Sequence, residues 1–409
     1  MATDVPATTL LDPAVIDDPY PFYRRLQDEA PVWLVPGTEV CVVASFAHVA
    51  EATGRVEDFS SRMYHFLYRD DAGLPRRLAF GDGTQTLAAA DPPVHTVHRK
   101  AVFPDLMARR MSELEPEITE VTDRCFDEAL AASSVESSVE FMATVANRVP
   151  ISMITQLIGF RDSDLGTLLQ VAFDSTAQVG ARITLDELNG LLAKSAVTYG
   201  WITEQLATYG AAADDEILGT ISRGVHDGVL EQHDAIIILQ TLLSAGGEST
   251  TSLLGNSVRI LAERPDLQQH LRDHPELIPP FIEEALRLES PFRFLPRHTP
   301  HDTTLGGVDI PEGTTVLLMW GAANRDAAEF DAPDEVRLDR PTPRHHVAFG
   351  RGIHHCVGAP LARLEARVVL TALLARTTGF ALDPSHAPQW FDSLQVRRHQ
   401  ALPLLIDAR

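Results

Sequence analysis

The stretch "DAIIILQTLLSAGGESTTSLLGNSVRILA", residues 234–262, restricts the fold more than any other part of the chain. Its first half is apolar on every side, the mark of a helix buried all round. A helix of about 30 residues runs about 45 Å at 1.5 Å per residue, enough to cross a whole domain. A chain built round such a rod has to be helix-rich and large enough to bury it. At 409 residues with 44% apolar content, this chain has the material. The apolar run itself, "AIIILQTLLSAGG", falls short of the ~20 residues that a membrane span needs. Gly246 and Gly247 in its middle each weaken a helix by ~1 kcal/mol relative to alanine, so the pair calls for a reason. An acid, Glu248, and two hydroxyls, Ser249 and Thr250, follow the pair.

Around this rod the pattern from Pro93 to about Ile260 is overwhelmingly helical. Small β portions are expected near residues 30–60 and 295–320, where β-branched residues alternate with turn residues. Residues Ser60 to Pro93 hold several glycines and little periodicity, and read as an irregular lid or pocket wall. No repeat or low-complexity linker divides the chain, so residues 1–409 read as one mainly α domain with a small β region. Charge is 34 minus 57, or −23, which argues against nucleic acid as a partner. No secretory leader opens the chain. Cys41, Cys125 and Cys356 are odd in number and widely spaced, which suits a reducing cytoplasm rather than a disulfide framework.

Cys356 stands apart from the other two. It lies in "HVAFGRGIHHCVGAPLARLEARV", among glycines that permit tight turns and close backbone approach. Pro360 fits the first turn of a helix whose buried stripe is Leu361, Leu364 and Val368. A thiol just before a helix N-terminus is expected to have a lowered pKa. Three readings fit: an inert turn cysteine, a zinc site with the neighbouring histidines, and an axial thiolate on haem iron. The zinc reading lacks a second cysteine pair, and adjacent histidines point apart.

The stretch resembles the haem-binding signature of the cytochrome P450 monooxygenases, F-G-x-G-x-H-x-C-x-G, at Phe349, Gly350, Gly352, His354, Cys356 and Gly358. The resemblance implies the cytochrome P450 fold, haem b as cofactor and Cys356 as its iron ligand, with Phe349 shielding the sulfur. It extends to other segments. Glu284 and Arg287 in "FIEEALRLESP", completed by Arg340, match a buried structural triad. His95 and Arg99 in "DPPVHTVHRK", with Arg297 and His354, match the groups that neutralise the haem propionates. The resemblance also implies that Ala245 falls against the haem, that Gly246 and Gly247 form a locally unwound turn, and that Glu248, Ser249 and Thr250 match the catalytic proton relay. Serine stands at 249 where threonine is commoner.

By the same resemblance the substrate pocket takes in His65, Tyr68, Arg293, Phe294 and Gln395. The partners implied are O2, a small organic substrate, and an external ferredoxin with its reductase, with no membrane and no nucleic acid. Arg99, Lys100, Arg109, Arg110, Arg344 and Arg351 are the expected docking cations. The composition is similar to that of actinobacterial members that tailor natural products by hydroxylation or by oxidative coupling, among them enzymes acting on tryptophan-containing diketopiperazines. A non-catalytic haem-thiolate sensor or carrier is the alternative class.

Overall fold

A computed structural model describes residues 5–106, 111, 113–133, 138–212 and 216–409. The long apolar stretch forms one unbroken helix, Gln232–Ala262. Helices Arg148–Ile158, Leu165–Ala177, Leu185–Tyr209 and Ala359–Arg376 pack around it. The unwound turn expected at Gly246 and Gly247 is absent. The glycines serve close packing instead: a Cβ on Gly246 would stand 2.7 Å from Ile154 Cγ1, and one on Gly247 3.2 Å from Ile151 Cδ1. Two helices approach there closer than any side chain allows, so the propensity lost is exchanged for contact.

A four-stranded sheet joins residues 32–43 to residues 295–318. Strands Val32–Leu34, Val40–Val43, Thr315–Leu318 and Leu295–His298 run side by side in that order. The central pair is parallel, with Val40 opposite Thr315 and Val43 opposite Leu318. Both strands are buried along their whole length, "VCVV" and "TVLL", as a parallel pair covered on both faces demands. Leu295–His298 joins antiparallel, with Arg297 opposite Val316. In a second small sheet Pro403–Ala408 lies between Thr377–Leu382 and Val139–Glu140 and pairs with both.

The segment expected to be irregular is instead a two-stranded ribbon, Met63–Arg69 against Pro75–Thr84. Its partners are distant in sequence. Arg77 Nε donates to Glu39 Oε2 at 2.9 Å and Arg76 Nη1 to the Gly37 carbonyl at 3.2 Å. The Arg69 amide donates to the Ile183 carbonyl at 2.8 Å. Most ribbon side chains are half-buried on either face, so no clean period of two marks them as strands. Among the described residues no helix is long and apolar enough to cross a membrane.

Candidate active site at the cysteine loop and the long helix

Gly350 and Gly352 adopt left-handed conformations, φ +68° and +69°, which an L side chain would strain. The turns they permit bring the Cys356 amide to the Phe349 carbonyl at 2.9 Å and close the loop. Gly358 has an ordinary φ of −84°. An added Cβ there would stand 3.9 Å from Cys356 Sγ, an ordinary contact distance. Pro360 lies in the first turn of helix Ala359–Arg376, as read. Cys356 is exposed, whereas Cys41 and Cys125 are buried. Its thiol departs from expectation. Although the residue as a whole is exposed, desolvation of its sulfur pushes the thiol above its ordinary pKa, against the amides of Gly358 and Ala359 and the cations Arg99 and Arg363.

Four side chains gather beside this loop. The rings of His95 and His354 lie 4.3 Å apart. His354 is driven down to a pKa of about 3 by burial, then by Arg297, His95 and Arg99. Its Nε2 is buried and has no hydrogen-bond partner. Arg297 is 7% exposed, and burial lowers it to about 10. The hydrogen bond its side chain makes is to its own neighbour, the Pro296 carbonyl, at 2.8 Å. Arg99 Nη2 donates to the His355 carbonyl at 2.9 Å. The nearby acid, Asp91, is engaged by the Ser60 hydroxyl and the Ser61 amide. Two arginines and two imidazole donors, with Asp91 as the acid near them and already bonded to Ser60 and Ser61, fit an added dianion. The two propionates of a haem would suit that donor set, and Cys356 lies beside it as a sulfur donor for the iron.

Glu284 is 1% exposed and ties the loop's support together. Arg287 Nε and Nη2 donate to its two oxygens at 2.8 and 2.9 Å, and Arg340 Nε donates to Oε1 at 2.9 Å. Arg287 Nη1 and Nη2 continue to the carbonyls of Asn324 and Glu335. The expected triad is assembled. Asn324 then accepts the Val347 amide at 2.7 Å, which links the triad to the start of the cysteine loop.

On the long helix, Ala245 is exposed and Ser249 partly so, four residues apart on one face, although the surrounding helix is buried. Ser249 Oγ donates to the Ala245 carbonyl at 2.6 Å. Thr250 is turned into the interior, 4% exposed. Glu248 is wholly buried and held, with Arg398 Nε donating to Oε1 at 2.7 Å and the Thr176 hydroxyl to Oε2 at 3.1 Å. Burial raises its pKa; Arg398 and Thr176 oppose the rise. Nothing near position 248 in the sequence signals Arg398, 150 residues away.

The expected pocket residues are not brought together as a set. His65 and Tyr68 stand three positions apart on one strand, so they face opposite sides of the ribbon. Arg293 is 2% exposed, and its guanidinium donates to the carbonyls of Ile16, at 2.9 Å, and Ser393. It stitches the N-terminal segment to the C-terminal one. Phe294 is 1% exposed, in a core cluster with Trp33, Met319 and Leu394. Gln395 Nε2 donates to the Phe294 carbonyl at 3.3 Å, and its Oε1 is buried without a partner. Of the expected docking cations, Lys100, Arg344 and Arg351 are exposed and Arg99 is half-buried; Arg109 and Arg110 lie outside the described residues.

A sequence profile described as Cytochrome P450 matches residues 273–389, from before Glu284 to beyond Cys356. Over 403 residues the chain is 38% identical to cytochrome P450 144 of Mycobacterium tuberculosis, covering 98% of this chain and 92% of that one. It is 35% identical over 327 residues to mycinamicin IV hydroxylase/epoxidase of Micromonospora griseorubida, covering 78% and 79% of the two chains. The solved structure of cytochrome P450 CREJ in complex with (4-ethylphenyl) dihydrogen phosphate superposes with a TM-score of 0.88 at 27% identity, over 96% of this chain and 98% of that one.

Proposed function

Because the chain belongs to the cytochrome P450 family, we propose that Cys356 is the axial ligand of its haem b and that the enzyme oxidises a small, natural-product-like organic molecule with electrons from a ferredoxin and its reductase. The observation that carries the site assignment is the cluster His95, Arg99, Arg297 and His354, gathered beside an exposed thiol with no free acid. These residues take the two propionates. The haem supplies dioxygen activation, which thiolate ligation favours at the O–O bond.

The chain's own part is proton supply, dryness and orientation. Ser249 Oγ is a partly exposed hydroxyl on the long helix, and it donates to the Ala245 carbonyl. With a donor from solvent to replace it, that proton would be available at the exposed face of the helix around Ala245. Glu248 is held by Arg398, so it acts first as the anchor that fixes the Ser249 turn. Thr250 stands off this path.

The ribbon supports an aromatic substrate. Phe66 and Phe80 share one of its faces with ring centroids 4.6 Å apart. Hydroxylation and oxidative coupling both suit that lining. For electron supply, Val97, Phe103 and Ile353 are exposed apolar residues close in sequence to Lys100, Arg99 and Arg351. An apolar centre with a cationic rim suits an acidic ferredoxin. Reversing charge at Lys100 and Arg351 is expected to slow reduction and leave substrate affinity unchanged.

The test is a difference-spectrum screen of aromatic natural products on the holoenzyme, followed by mass analysis after turnover. A gain of one oxygen indicates hydroxylation, and loss of two hydrogens from a joined pair indicates coupling. A Cys356→Ala protein that keeps the absorbance of sulfur ligation in its reduced carbon monoxide complex overturns the ligand assignment.

A further inference from the structure

A groove of about 450 Å³ opens beside helix Ala359–Arg376, bordered by Glu283, Arg344, Arg363 and Arg367. Glu283, one residue before the structural triad, is 4% exposed and gathers three cationic or imidazole groups. Arg363 Nε and Nη2 donate to its two oxygens at 2.7 and 2.9 Å. His346 Nε2 lies 2.9 Å from Oε2, and Arg344 Nε lies 3.4 Å from Oε1. A two-point fork of this kind fixes the plane of the guanidinium as well as its position. The plane so fixed places Arg363 Cζ over the ring of Phe349, 4.4 Å from its centroid.

We infer that Arg363, oriented by Glu283, is the positioning residue that seats the Phe349 ring and through it tunes the Cys356 sulfur. Phe349 and Cys356 belong to one closed loop, joined by the amide-to-carbonyl bond at 2.9 Å. Glu283 holds that loop from two sides, through His346 at its start and through Arg363 on the helix behind it. The ring is therefore pinned from outside by a charge whose own freedom has been removed. A cation held over an aromatic face is attracted to the negative side of the ring quadrupole. Lysine keeps the charge but lacks the planar fork, so it cannot replace the arginine in full. The inference rests on Cys356 being the axial ligand.

The experiment uses the holoenzyme and two readouts besides turnover: the one-electron reduction potential, and the rate at which the reduced carbon monoxide complex loses its sulfur-ligated absorbance. Arg363→Met is expected to lower the potential and to speed that loss about threefold to tenfold. Arg363→Lys is expected to recover less than half of either change. In a Phe349→Leu background, Arg363→Met is expected to add less than twofold, because the ring through which it acts is gone. An unchanged Arg363→Met protein overturns the inference, as does full recovery by lysine or an undiminished effect in the Phe349→Leu background. If Arg363→Met fails to retain haem, Glu283→Gln replaces it, with and without Phe349→Leu, under the same criteria. A Cys356→Ala protein that keeps the sulfur-ligated absorbance points instead to failure of the ligand assignment itself.

Discussion

Arg398 crosses from the C-terminal segment to Glu248 in the middle of the long helix, Nε to Oε1 at 2.7 Å, and lies over two aromatic rings on the way. Its Cζ is 3.9 Å from the Phe173 centroid and 4.5 Å from that of Phe391. Both partners are almost fully buried. Removing one member of such a pair strands the other charge, at a cost of roughly 3–5 kcal/mol, whereas removing both is far milder. Arg398→Met should therefore destabilise the protein by that amount in denaturant unfolding. The double variant Arg398→Met with Glu248→Gln should recover more than half. Additive losses would mean that the two residues do not act on each other.

Arg297 should show opposite signs with and without haem. In the apoprotein it is a buried cation without a carboxylate partner, so Arg297→Met is expected to hold or raise the unfolding midpoint. In the holoprotein the same change removes a propionate partner, and haem transfer to an acceptor protein should quicken by tenfold or more. A variant that destabilises the apoprotein and leaves haem transfer unchanged would place Arg297 in the scaffold instead.

Ser249 should matter to the fate of electrons more than to binding. Ser249→Ala is expected to leave substrate affinity within twofold and to cut product per oxygen consumed by about a hundredfold, the low end of what positioned proton transfer contributes. Ser249→Thr restores the hydroxyl with a stiffer rotamer and should hold the yield. The paired measurement is oxygen uptake against product formed.

Glu365 offers a pH test. It is 2% exposed on helix Ala359–Arg376, its Oε2 has no partner, and burial pushes its pKa up to about 8. The unfolded carboxyl titrates near 4.3. Between those values the native state keeps a proton that the unfolded chain has released, so stability falls as pH rises from about 4 to 8. Glu365→Gln should match the parent at pH 4 and exceed it at pH 8, by an amount on the order of a few kcal/mol. Denaturant unfolding at both pH values is the check, and parallel curves would discard the idea.

What could be read in advance was what spacing encodes. The long helix and the glycine turns before Cys356 are local patterns, whereas the buried set of Glu284, Arg287 and Arg340 comes from the family resemblance. What stayed hidden depends on partners brought in from elsewhere. Arg398 meets Glu248 across 150 residues and Arg363 meets Glu283 across 80, and neither arginine differs in sequence from an ordinary surface cation. Gly246 was noticed for the right oddity with the wrong cause, because the Ile154 side chain that requires it lies on another helix. Arg293 was misassigned for the same reason, since its acceptors are main-chain carbonyls that carry no side-chain signature.

The ribbon has an evolutionary corollary. Its strands pair Phe66 with Leu78 and Leu67 with Arg77, and Leu67 alone among the Met63–Arg69 side chains is buried. Gain or loss of a single codon within that strand would swap which side chains point each way, since strand faces alternate residue by residue. On the proposed reading of the ribbon as pocket wall, one small indel there changes which side chains the substrate meets while the cysteine loop and the buried rod stay as they are.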